Sequence, residues 1–79
     1  LTGTVYDSQS GELLVGVEVK IEETDIKTYT DFDGKFSFEN IKPGEYKLTA
    51  NYISYEKCIE TFNLDSKENK VNIELKTSR

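Results

Sequence analysis

Apolar residues recur at every second position along most of this chain. Val17, Val19 and Ile21 alternate with Glu18, Lys20 and Glu22, and Tyr46, Leu48, Ala50 and Tyr52 alternate with Glu45, Lys47, Thr49 and Asn51. Near the end, Val71, Ile73 and Leu75 alternate with Lys70, Asn72, Glu74 and Lys76. A period of two sends successive side chains to opposite faces, so each run predicts a β-strand with one buried face. Leu1 to Tyr6 and Ile26 to Thr30 add two β-prone runs, and Phe36 and Phe38 share a phase opposite to Lys35, Ser37 and Glu39. Between Ile53-Ser54-Tyr55-Glu56 and Leu64, the residues Cys58, Phe62 and Leu64 keep one phase. Glu60 shares that inward phase, a conflict that a β-bulge or a position at a sheet edge removes.

Turn signals separate these runs. Asp7-Ser8-Gln9-Ser10-Gly11 ends the first strand, after which Leu13 and Leu14 are expected to return the chain to the core. Thr30-Asp31-Phe32-Asp33-Gly34-Lys35-Phe36-Ser37-Phe38 predicts a tight hairpin. Gly34 reaches positive φ freely, Asp33 tolerates the neighbouring left-handed position, and Asp31 caps the turn with its side chain. Asn40 to Gly44 forms a second break with Pro43 and Gly44 placed for a turn, and Asp65 to Asn69 is a polar turn before the last strand. Roughly seven short strands with regular turns and no helical period predict an all-β, seven-stranded antiparallel Greek-key sandwich. A small closed oligonucleotide-binding barrel is the alternative, but such barrels usually present a basic, aromatic face.

Composition sharpens this picture. With 79 residues, the chain is expected to form one domain, residues 1–79, excised from a longer and exported protein. Fifteen acidic residues against ten basic ones give a net charge of −5, which disfavours nucleic acid and anionic membrane surfaces. No apolar run is long enough to span a membrane, so no direct insertion of this domain is expected. Cys58 stands alone and there is no histidine, so an intrachain disulfide and a usual zinc site are ruled out. Cys58 is read as a small buried hydrophobe.

The motifs, taken in order, resemble a known family. Gly3-Thr4-Val5-Tyr6-Asp7, Leu14-Val15-Gly16-Val17-Glu18-Val19, Thr30-Asp31-Phe32-Asp33-Gly34-Lys35-Phe36, Pro43-Gly44-Glu45-Tyr46 and Ile53-Ser54-Tyr55-Glu56 together resemble the carboxypeptidase regulatory-like domain family. The resemblance covers nearly the whole chain and implies a transthyretin-like (prealbumin-like) sandwich. It also implies an accessory role, since members occur in secreted proteins and at the N-termini of TonB-dependent outer-membrane transporters of Bacteroidetes. Ser54 stands where the family usually carries Gly.

Candidate chemistry is sparse. An EF-hand begun at Asp31 would place Lys35, Phe36 and Lys42 where a ligand, the Gly and the bidentate Glu belong, so that motif fails. Glu22, Glu23 and Asp25 form an acidic cluster of the kind that is ordinarily solvated. Without a histidine to activate Ser or Cys, no nucleophilic site is legible, and no enzyme activity or cofactor is expected. Lys20, Lys47 and Asn72 fall on outward phases, away from any buried triad for an internal Lys-to-Asn bond.

The residues singled out are Asp31, Asp33, Gly34, Pro43 and Gly44 as structural turns, with Tyr52 and Tyr55 as an interaction patch. The expectation is a non-catalytic interaction module on the periplasmic side of a bacterial outer membrane or at the cell surface. Its expected partners are proteins or the rest of its parent chain. The alternatives are a carbohydrate- or peptide-binding module and an accessory domain of a secreted peptidase.

Overall fold

The computed structural model describes residues 1–64 and 70–78, so the turn expected at Asp65 to Asn69 lies outside the described residues. Seven strands follow one another: β1 (Thr2–Asp7), β2 (Glu18–Ile21), β3 (Lys27–Tyr29), β4 (Lys35–Ser37), β5 (Gly44–Asn51), β6 (Cys58–Leu64) and β7 (Lys70–Leu75). They form two sheets, ordered β4-β1-β7 and β3-β2-β5-β6, packed as a sandwich. The connections β1→β2, β3→β4, β4→β5 and β6→β7 each change sheets.

The alternation seen in the sequence becomes the core. Val5, Val17, Val19, Ile21, Leu48, Ile73 and Leu75 are fully buried, with Phe36 and Phe38 packed edge to face at 5.9 Å beside them. Burying a Val, Leu or Ile side chain contributes about 1.5–3 kcal/mol, so this layer is the main source of cohesion in a chain whose single cysteine, Cys58, is free.

Several expectations are corrected. The segment from Thr30 to Phe38 is a tight turn but not a hairpin within one sheet, because β3 pairs with β2 while β4 pairs with β1. In the narrow sheet Phe36 is buried with its ring over Gly3 of β1, a position where the missing Cβ leaves room for it. Asp33 does not take a positive φ, whereas Gly34 does, at 70°. Pairing is antiparallel except between β1 and β7, which run parallel from Thr2↔Lys70 to Asp7↔Leu75. Leu13 is half exposed, and Leu14 alone of that pair joins the core. Thr49, expected outside, is buried on the outer face of the wider sheet. Cys58 is only partly buried.

Glu60 resolves as an edge residue. The β5–β6 register runs unbroken from Gly44↔Leu64 to Ala50↔Cys58, so there is no bulge within it, and β6 is the last strand of its sheet. The Glu60 carboxylate therefore reaches solvent from an inward phase.

Candidate functional site

The Thr30–Phe36 segment is a joint between the sheets. Thr30 is buried, and its hydroxyl donates to Leu14 O at 2.7 Å while accepting from Val17 N at 2.9 Å. Its backbone accepts from Gly16 N and donates to Val17 O, so one residue ties down the whole loop before β2. Asp31 then caps the turn, its Oδ1 accepting from the backbone N–H groups of Asp33 and Lys35. Those N–H groups of Lys35 and then Asp33 hold the Asp31 carboxyl below the ordinary carboxylate range. Gly34 lies so close to β1 that an added Cβ would stand 3.0 Å from Val5 O. Asp33 is exposed and serves the turn through its backbone.

Tyr52 and Tyr55 meet at one end of the sandwich, with ring centroids 5.7 Å apart. Both are half buried rather than a free aromatic platform. The Tyr55 hydroxyl donates to Asp7 Oδ2 at 2.6 Å, and Asp7 Oδ1 accepts from Gln9 N at 2.8 Å and Ser10 N at 2.9 Å. The carboxylate of Asp7 is thereby held low, first by the Tyr55 hydroxyl and then by the Ser10 and Gln9 N–H groups. The Tyr55 phenol is raised in turn, chiefly by that same bond.

Asp7 was the residue missed in the sequence. It continues the inward phase of Gly3 and Val5, and a carboxylate on an inward phase is the signal that could have found it.

The turn between β5 and β6 is strained at Ser54, whose φ of 69° is the left-handed conformation that glycine adopts freely. Ser54 O accepts from Ser78 N, and Glu56 N donates to Lys76 O, so this corner is stitched to the strand end after β7. Pro43 is exposed and Gly44 opens β5, while the positive φ of that connection is carried also by Asn40, at 61°. The Cys58 thiol is raised by burial and by neighbouring Glu60, which leaves it in its unreactive neutral form. Among the described residues, no group of three or more His, Cys, Asp or Glu side chains is arranged to hold a metal ion.

These features coincide with a family match. Residues 1–79 match the CarboxypepD_reg-like domain. The chain belongs to that family. A search of curated proteins returned no match.

CarboxypepD_reg-like domains are prealbumin-like, non-catalytic β-sandwich modules, and the geometry explains what this domain's most specific motif does. Its Thr clamps a loop, its first Asp caps a turn, its Gly allows close approach to β1 and its Phe fills the core. The motif thus builds the scaffold. Among the described residues, this CarboxypepD_reg-like domain leaves open for contact several exposed apolar side chains, led by Phe32 at 95% and Ile53 at 83%, and a groove of about 630 Å³ beside β4.

Proposed function

We propose that this domain is a spacing and interaction module at the periplasmic N-terminus of a TonB-dependent nutrient transporter in a Bacteroidetes outer membrane. The observation that supports this reading is the parallel pairing of β1 with β7. Leu1 lies beside Phe38 at one end of the sandwich, and Ser78 lies beside Ser54 at the other. Six strand residues span about 20 Å, so a chain entering at one end leaves at the opposite end, as an in-line spacer requires. The partners proposed are proteins of the envelope or the rest of the parent chain. The exposed Phe32 and Ile53 offer the kind of apolar anchors that such contacts use.

Cell fractionation tests this. Antibodies against the domain should detect a much larger protein in the outer-membrane fraction, and deleting the domain should leave barrel insertion intact while lowering uptake. Detection of only a small soluble protein would refute the transporter assignment.

A further inference from the structure

We propose that the outward face of the β4-β1-β7 sheet is a binding groove for an acidic oligosaccharide, one whose sugars carry uronate carboxylates. The pairing registers lay six side chains in two rows across this face: Ser37, Thr2 and Lys70 in one, Lys35, Thr4 and Asn72 in the next. Neighbouring strands are about 4.8 Å apart and same-face residues along a strand about 6.6 Å, so the six span the area of one to two sugar rings. All six line the groove of about 630 Å³, and exposed Tyr29 walls it from the neighbouring sheet.

The chemistry of the floor selects the ligand. Three hydroxyls and an amide both donate and accept hydrogen bonds, which matches a polyol presenting O–H groups of either sense. Two ammonium groups stand within a domain whose net charge is −5. The one carboxylate lining the groove, Asp31, stays ionised and feels the Lys35 charge, so two ammonium groups stand against one carboxylate and the lining keeps a positive excess. Lys70 has no ion pair among the described residues. The groove is thus a cationic site on an acidic surface, complementary to a ligand bearing carboxylates.

An acidic peptide fits less well. Main-chain recognition needs a row of free N–H and C=O groups at a sheet edge. Leu1 bonds Phe38, and Val5 bonds Gly34, so on the alternating ladder Lys35 and Ser37 turn their backbone groups to the open edge of β4. Lys35 O already accepts from Asp31 N, and Lys35 N donates to Asp31 Oδ1. That leaves only Ser37, too little for an added strand, so the ligand must be read by side chains.

The test is a nitrogen-15 NMR titration of the intact 79-residue chain with tetragalacturonate, with maltotetraose and tetraglutamate as comparisons. Saturable shifts are expected at Thr2, Thr4, Lys35, Ser37 and Asn72, with a dissociation constant of about 1 mM and roughly tenfold weaker binding of both comparison ligands. Lys35→Glu and Lys70→Glu each sit at exposed positions, so they should keep the melting temperature while weakening tetragalacturonate binding roughly fivefold or more. The proposal is overturned by no saturable shift at about 10 mM ligand, the weak limit of specific recognition. It is equally overturned if maltotetraose or tetraglutamate binds as tightly, if both charge reversals leave binding unchanged, or if the shifts map to Tyr52 and Ile53. None of these outcomes bears on the transporter assignment, which fractionation decides separately.

Discussion

Tyr55 and Asp7, 48 residues apart in the chain, are joined by a 2.6 Å hydrogen bond from the phenol to Asp7 Oδ2. The bond fastens the β5–β6 corner to the end of β1, across the two sheets.

This link makes stability depend on acid. Asp7 has a folded pKa below its unfolded value, so its contribution is fully present above about pH 4 and is lost as pH falls through the depressed folded value. Asp31 acts in the same direction. Thermal melts from pH 2 to pH 7 should therefore be flat at the neutral end and fall on the acid side. Asp7→Asn should melt lower at neutral pH with a shallower acid limb, and Tyr55→Phe should lower the neutral melting temperature too. Superimposable acid limbs for wild type and Asp7→Asn would show that Asp7 is not the titrating group.

Gly3 is the most crowded of the glycines. An added Cβ would collide with the Phe36 ring and stand 2.5 Å from Val71 O, which is backbone and cannot step aside. Gly3→Ala should destabilise by about 2 kcal/mol or more, read from denaturant midpoints. The exposed neighbour Thr2→Ala should change stability by less than about 0.5 kcal/mol. Equal effects would mean that the Gly3–Phe36 packing is misplaced.

Thr49 carries a buried hydroxyl with no hydrogen-bond partner among the described residues. It lies opposite Lys20 on β2 and Ile59 on β6, between two neighbouring strands. Thr49→Val keeps the shape, removes the unpaired group and suits a strand, so it should stabilise by about 1 kcal/mol. A lower denaturation midpoint in the valine variant would show that the hydroxyl is paired in solution.

Ser54 holds a left-handed backbone, so the side chain decides the strain. Ser54→Gly should be neutral to stabilising by roughly 0.5 kcal/mol, the relief of strain being offset by the greater unfolded freedom of glycine. Ser54→Val should destabilise by about 1 kcal/mol or more, since a β-branched residue resists positive φ. The comparison is a pair of chemical denaturation curves, and the prediction fails if valine is the better tolerated residue.

The strands with clean alternation were legible because a buried face leaves its period in the sequence: Val17, Val19 and Ile21, or Ile73 and Leu75, could be assigned by position alone. What alternation does not encode is which strand lies beside which. The turn at Gly34 was visible as a turn, but not its carrying the chain from one sheet to the other, where Phe36 meets Gly3, 33 residues upstream. The parallel pairing of β1 with β7 had no local signature either. For the candidate site, Tyr52 and Tyr55 were noticed, but Asp7, the partner of Tyr55, was hidden inside a run of turn-forming residues. The polar rows on the β4-β1-β7 face arise only from register, which no single stretch of sequence specifies.

That parallel pair also governs when the domain can fold. Joining β1 to β7 closes a span of 68 residues, as between Tyr6 and Glu74, and such distant contacts are slow to form because the intervening chain must first surrender its freedom. β1 sits in the middle of its sheet and waits on one side for the last strand to emerge. A nascent chain that ends before Lys70 therefore lacks one strand of the narrow sheet, and Val5 remains without Ile73 beside it. Completion comes only when the final strand arrives, so the chain stays open and threadable for nearly its whole length before it closes.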